Sequence, residues 1–237
     1  MTTVTQWMDR NFYPDFQSRW DDRLFRQRIL THLKPEFQIL DIGAGAGIVP
    51  EMDFKGLASR VVGVDLDPRV VHNQFLDEGR VADAEALPYP DATFDLVFAD
   101  NVMEHIERPE CVFREIARVL KPTGILLFKT PNALHYMPLI ARMTPHGFHR
   151  FVNKLRGRAT IDTFPTRYRV NTPWQIRKFA AASGFEVEQL GQIEGRPEYL
   201  RMWPPLYMLG FLYERLVNSM RLLSPFRVLL IAELRKC

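Results

Sequence analysis

Gly43, Gly45 and Gly47 stand at alternate positions directly after a short apolar run, Ile39, Leu40 and Ile42, which itself carries a carboxylate, Asp41. Glycine lets a backbone approach a ligand with no Cβ in the way, and it accepts positive φ. A strand running into such a turn forms a ligand-binding edge when it lies at the carboxyl end of an open α/β sheet. In the dinucleotide fingerprint G-x-G-x-x-G the third glycine would fall at Ile48; here it comes one residue earlier. The G-x-G-x-G spacing favours a ligand other than a pyrophosphate dinucleotide. No lysine or arginine stands in the turn, and no P-loop lysine follows it, so a phosphate cradle is disfavoured as well. Asp65 closes the run VVGVD, where a carboxylate can accept hydrogen bonds from both hydroxyls of a ribose. Asp83, in VADAEALPYPD, can accept one from the exocyclic amine of an adenine. Carboxylates converging on one crevice suit a cationic nucleoside.

A second group of candidates follows. His105, in NVMEHIERPE, reads either as a residue that orients its own loop together with Glu104 or as a general base facing a nucleophile. Residues 131–172 hold His135, His146 and His149, together with Arg142, Arg150, Lys154, Arg156, Arg158, Arg167 and Arg169, against one acid, Asp162. This is either a solvated basic loop or a collector for an anionic substrate, with His135, Arg167 and Arg169 as candidate contacts. A nucleic-acid surface would show a similar mixture. A net charge of only +3 and the lack of a recognised RNA-binding module argue against it.

The elements that position these residues follow from periodicity. Residues 37–42, 60–66, 80–84, 94–100 and 124–130 read as five strands, with two more at 185–195 and 226–236. Helical spacing is present over 21–34, stopped by Pro35, and over 109–121, stopped by Pro122. It recurs over 173–185 with Gly184 as its stop, and across 198–221. Weaker helices are expected at 48–59 and from Pro68 to about Asp77. Strands alternating with helices in this rhythm indicate a parallel sheet covered on both faces. The 237 residues suffice for one domain. It would comprise an N-terminal cap and helix (1–36), a ligand-binding core (37–130), a lid insertion (131–172) and C-terminal helices with a strand hairpin (173–237).

Composition is ordinary for a soluble globular protein, at 46% hydrophobic and 25% charged. Two cysteines form no disulfide framework, and no signal-peptide or spanning pattern is visible; a cytoplasmic location is expected. The apolar stretch 199–223 with its scattered arginines leaves three readings open: core, a contact in a homo-oligomer, or peripheral association with a membrane surface. The aromatics Trp7, Phe12, Tyr13, Phe16 and Trp20 either fold over the ligand or pack onto the domain.

Taken together, ILDIGAGAG, VVGVD, ADAEALPYPDATFDLVFADNVMEHI and LKPTGILLFKTPN resemble the successive motifs of class I S-adenosylmethionine-dependent methyltransferases. The resemblance is to the small Rossmann-like type that includes ubiquinone-pathway O-methyltransferases. It covers roughly residues 21–132, in order and spacing. It implies a doubly wound, seven-stranded α/β sheet whose last strand is antiparallel, with the lid after the fifth strand. It implies that Gly43, Ala44, Gly45 and Gly47 pass under the methionine part of S-adenosylmethionine, that Asp65 and Leu66 meet the ribose, and that Asp83 and Ala84 hold the adenine. Asp100 would lie beside the methionine tail, and Asp41 would support the turn and the amino group. Some related O-methyltransferases bind a divalent cation through a Glu-x-x-Glu-His segment. Here Asn101 replaces the first glutamate, which removes a hard anionic ligand, and no metal is expected. The activity implied is methyl transfer to a small acceptor, at oxygen, the acceptor being an anion, a sugar or a lipid-linked compound. A nicotinamide-dependent oxidoreductase and a non-catalytic S-adenosylmethionine-binding partner protein are the alternatives.

Overall fold

A computed structural model describes residues 3–143 and 165–237. Its centre is a seven-stranded sheet built from β1 (Gln38–Ile42), β2 (Arg60–Asp65), β3 (Glu78–Val81), β4 (Phe94–Asp100), β5 (Leu120–Pro131), β6 (Phe185–Ile193) and β7 (Leu229–Lys236). Their order is β3-β2-β1-β4-β5-β7-β6. The first five pair in parallel, and β7 runs antiparallel between β5 and β6. The chain reverses its winding direction at β1, between β2 and β4, so the carboxyl ends of β1 and β4 flank a switch-point crevice.

Alternation along the strands sorts the core into two layers. Leu40, Ile42, Val62, Val64, Val97, Ala99, Leu126 and Phe128 face α3 (Pro109–Val119) and α5 (Pro173–Ala182). Ile39, Val61, Leu96, Phe98, Ile125 and Leu127 face α2 (Asp21–His32) through Phe25 and Ile29. Helix α3 begins with Pro109 in its first turn and buries Val112, Phe113, Ile116 and Val119, a spacing of three and four that makes one apolar stripe. Thr172 caps α5 by accepting a hydrogen bond from the Gln175 backbone N–H. Gly184, at φ +75°, ends that helical run.

The two weaker helices are not formed. Residues 48–59 make only a 3₁₀ turn at Pro50–Met52, and 68–77 only one at Pro68–His72. In the first stretch Gly56 sits at φ +78°, and Met52 and Phe54 turn inward to fill the layer beneath α2. In the second, the Asn73 side chain donates to the carbonyls of Ala44 and Gly45 and accepts from Phe75 N–H, which takes the chain out of helical geometry. The third strand also lies earlier than expected, at Glu78–Val81, so Asp83 belongs to the loop beyond it.

Outside the sheet, α1 (Thr3–Phe12) packs on α6 (Pro204–Ser219), with Phe12 stacked on Phe211 at 4.3 Å. Helix α6 buries Tyr207, Gly210, Glu214 and Val217 but leaves Leu209, Leu212 and Leu216 exposed, so only one side of the apolar stretch is core. No helix among the described residues is long and apolar enough to cross a membrane. Helix α4 (Tyr136–Met143) opens the insertion after β5. His146, His149, Arg150, Lys154, Arg156 and Arg158 lie outside the described residues.

Candidate functional site

The carboxyl ends of the parallel strands open into a cavity of about 1560 Å³. Its floor is the glycine turn. Gly43, Gly45 and Gly47 have φ of +78°, +51° and +69°. Their roles differ. A Cβ on Gly43 would meet Val102 Cγ2 at 2.2 Å, and one on Gly47 would meet Asn73 Oδ1 at 2.2 Å. On Gly45 the nearest atom would be Asp65 Oδ2 at 3.9 Å. Gly43 and Gly47 are therefore required by the protein's own packing, while Gly45 leaves its open side to the cavity. Gly43 and Ala44 both donate their N–H to Val64 O.

Asp65 braces this turn: Oδ2 accepts from Gly45 N–H and Oδ1 from Asp67 N–H, both at 2.8 Å. Asp41 is buried below it. Burial, with Asp100 and Asp65 nearby, raises its pKa well above the usual carboxylate range. Asp100, at the end of β4, is pushed up to about 6, chiefly by burial. Leu66, Asp83 and Ala84 line the same cavity. The structure thus brings together all ten residues that the sequence assigns to a nucleoside-type ligand: Asp41, Gly43, Ala44, Gly45, Gly47, Asp65, Leu66, Asp83, Ala84 and Asp100.

Lys129, on β5, is a member of this site that sequence reasoning passes over. It is fully buried and pairs with Asp100 at 2.9 Å, with Asp21 at 3.4 Å and with Asp22. Burial alone would lower its pKa; the three carboxylates outweigh that and keep the ammonium charged. One cation thus joins β4 and β5 to the start of α2. Even so, Asp21 Oδ1 remains buried without a hydrogen-bond partner in the cavity wall. Asp21, Asp41 and Asp100 gather at this end of the cavity, with Lys129 behind them paired to Asp21 and Asp100. The only sequence hint was a lysine inside an otherwise apolar strand.

His105 also lines the cavity. Its Nδ1 is 3.0 Å from Pro165 O, and because a carbonyl only accepts, Nδ1 carries the proton. In the neutral ring the lone pair is then on Nε2, 3.9 Å from Glu104 Oε1. Glu104 is buried and accepts from Thr130 Oγ1, which accepts in turn from Asn171 Nδ2. Burial pushes Glu104 up to about 7. Asn101, in the left-handed region at φ +53°, donates to Asp100 Oδ1. No group of three or more metal-ligating side chains is present among the described residues.

The second set of candidates divides. His135 is buried in the cavity wall beyond β5. Arg167 and Arg169 do not reach the lining: Arg167 lies 3.7 Å from Glu107 Oε1, and Arg169 donates to the Glu107 carbonyl. The N-terminal aromatics divide as well. Phe16 and Trp20 line the cavity, while Phe12 and Tyr13 pack against Phe211 and Tyr207 of α6, and Trp7 packs edge-on against Phe12.

Residues 40–128 match the protein family described as "Methyltransferase domain". Among curated relatives, a ubiquinone biosynthesis O-methyltransferase from Thiobacillus denitrificans is 26% identical over 170 residues, covering 65% of this chain and 66% of its own length. A probable S-adenosylmethionine-dependent methyltransferase from Mycolicibacterium smegmatis is 30% identical over 171 residues, covering 70% of this chain and 59% of its own. The chain spans less than two thirds of the length of either relative. Among solved structures, an S-adenosylmethionine-dependent methyltransferase from Mesorhizobium loti superposes with a TM-score of 0.58 at 19% identity, over 91% of this chain and 97% of that one. At that identity the likeness establishes the fold.

Proposed function

From residues 40–128, a methyltransferase domain of the class I, S-adenosylmethionine-dependent kind, we propose that this chain transfers a methyl group from S-adenosylmethionine to a small hydroxyl-bearing acceptor. The observation that carries the reading is the carboxyl-lined, glycine-floored end of the cavity. Asp21, Asp41 and Asp100 around one lysine match a ligand with an ammonium and a sulfonium, and the open side of Gly45 gives its chain room. In this reading Asp65 holds the ribose and Asp83 the adenine, both lining the cavity. The bound sulfonium supplies an electrophilic methyl; the protein's contribution is alignment, exclusion of water and removal of a proton.

His105 is the group we assign to the proton. The Pro165 carbonyl fixes its tautomer with the lone pair on Nε2, which is the form a general base needs. With S-adenosylmethionine bound as methyl donor, His105 Nε2 would take the hydroxyl proton that the acceptor oxygen gives up on methylation. Glu104, held by Thr130, sits beside the ring and favours the imidazolium that results whenever it is ionised. Transfer to oxygen agrees with the name of the Thiobacillus denitrificans relative.

Titration calorimetry with S-adenosylmethionine, S-adenosylhomocysteine and NAD tests the reading at its base. Binding of the first two without the third is expected. NAD binding with no response to either sulfur nucleoside would replace it with the oxidoreductase alternative. A methyl-labelled donor and a panel of hydroxyl acceptors then test turnover. Tight donor binding with no transfer to any of them would favour a non-catalytic binding protein.

A further inference from the structure

At the end of the cavity formed by the segments that follow β5 and β6, two buried polar side chains face each other, and one of them has a ring nitrogen without a hydrogen-bond partner. His135 Nδ1 accepts a hydrogen bond from Met137 N–H at 3.3 Å, so the neutral ring carries its proton on Nε2. That Nε2 is buried and has no hydrogen-bond partner. Its neighbour is Glu194 Oε2 at 3.5 Å. The ring cannot turn away to find another. It lies against Tyr136 at 4.0 Å and Tyr213 at 5.6 Å, and its turn is tied down by Asn132, which donates to the carbonyls of Pro225 and Arg227. Glu194 is equally fixed, because its Oε2 accepts from Val228 N–H at 2.8 Å. Both residues line the cavity.

A buried N–H left without an acceptor is destabilising, so a group that supplies one is held in place. The surroundings decide what this group is. The nearby cation in the lining, Arg196, is already committed: it pairs with Asp9 at 3.3 Å and with Glu198, and its guanidinium stacks 3.3 Å over the Phe16 ring. An anion would face the Glu194 carboxylate whenever that group is ionised, with Arg227, itself bonded to the carbonyls of Val217 and Gln192, as the cation acting on it. A hydroxyl satisfies both partners, because its oxygen accepts from His135 Nε2–H while its proton goes to a Glu194 oxygen. Burial drives His135 down to about 3 and Glu194 up to about 8, so near neutrality the ring is neutral and most of the carboxyl is protonated, able to accept through one oxygen and donate through the other, which a hydroxyl can answer in either sense.

We propose that His135 and Glu194 form a hydroxyl-recognition subsite, which makes the acceptor a neutral hydroxyl compound, of sugar or phenol type, and not the anion that the basic segment suggests. The proposal rests on the methyltransferase reading of the cavity and specifies the acceptor within it. His135 and Glu194 act here as positioning residues.

The test uses the full chain saturated with S-adenosylhomocysteine, whose own binding is measured first. Methyl glucoside, phenol and benzoate are then titrated by ligand-observed NMR. At least one of the two neutral compounds should bind, and benzoate should bind more weakly or not at all. His135→Leu should weaken the neutral ligand by tenfold or more, His135→Gln should retain it by restoring a donor, and Glu194→Gln should retain it too. S-adenosylhomocysteine affinity should stay unchanged in all three. Benzoate binding in preference, or no binding of either neutral compound, would overturn the subsite. So would a neutral ligand indifferent to His135→Leu, which would mean that a water occupies the pair. Should the leucine variant fail to fold, ¹⁵N NMR of the wild-type ring decides: a proton on Nε2 whose shift moves on adding the neutral ligand supports the subsite, and a proton on Nδ1 sinks it. Loss of S-adenosylhomocysteine binding in the wild type would count against the cofactor reading alone, since the same titrations can be run without it.

Discussion

The three glycines of the turn differ in what their hydrogens make room for, and this separates packing from ligand contact. Gly43→Ala and Gly47→Ala each push a methyl to 2.2 Å from a neighbouring side-chain atom, and each strains a left-handed residue. Both should lower stability, read as a drop in thermal midpoint. Gly45→Ala pays only the backbone strain, about 1–2 kcal/mol, and its methyl enters the cavity. It should stay folded and lose at least tenfold in S-adenosylmethionine affinity by calorimetry. Normal affinity in a folded Gly45→Ala protein would show that the ligand does not pass over this turn. For His105→Ala a fall of about 10²-fold or more in turnover is expected, with cofactor affinity kept, because only the proton transfer is touched. Unchanged turnover would reduce His105 to a tie between its loop and Pro165. Gly43, Gly45, Gly47, Asp65 and Asp83 were legible because they stand at or just beyond the carboxyl ends of strands, while the roles of Asp41, Ala44, Leu66, Ala84 and Asp100 came from the resemblance to the methyltransferase motifs. Glu194 and Lys129 were not legible. Their partners, Val228 for one and Asp21 and Asp22 for the other, lie far along the chain and meet them only in the fold.

Between elements, the decisive tie is Lys129, which joins β4, β5 and the first turn of α2. Truncating the buried cation strands three carboxylates, and breaking a buried pair from one side costs about 3–5 kcal/mol. Asp21 and Asp22 retain some solvent, which puts Lys129→Met at the low end of that range. Urea unfolding should show this as a lower midpoint at constant slope. A midpoint within error of wild type would mean that α2 is held without Lys129, by Phe25 and Ile29 and by the ties of Arg26 and His32. The fold of these elements was readable where length and apolar spacing agreed, as in α3, whose stripe from Val112 to Val119 leaves one solution. It was misread at 48–59 and 68–77. There Val49 and Met52, three apart, suggest a helical turn, yet Met52, Phe54 and Val70 fill the layer from 3₁₀ turns and loops. Periodicity reports which side chains go inward and says less about the backbone that carries them. Asn73 shows the competing influence, since its side chain serves the glycine turn and takes the chain out of helix to do so.

Across the whole molecule, the cavity concentrates acids whose pKa burial raises. Glu104 and Glu194 are raised to about 7 and about 8, and Asp100 to about 6. In the unfolded chain such groups ionise near pH 4. Between that value and the folded pKa the native state holds more protons, so stability is full at the acidic side of the window and is lost as pH rises through it. His135 runs the other way. Its folded pKa of about 3 lies below the ordinary 6.5, so its contribution is complete above pH 6.5 and is lost as pH falls toward 3. Above pH 6.5 the His135 contribution is complete, while Glu104 and Glu194 still titrate. The ligand-free protein should therefore melt at a lower temperature at pH 8.5 than at pH 6.5. Each kcal/mol lost corresponds to roughly 2–4 °C for a chain of this size. Glu194→Gln, which cannot ionise, should flatten the upper part of that slope. A wild-type midpoint that is level or rising over this interval would mean that Glu104 and Glu194 already ionise in the folded protein. The acceptor end of the cavity would then be an anionic, hydrated surface suited to a cationic partner, and a neutral hydroxyl would lose its advantage there.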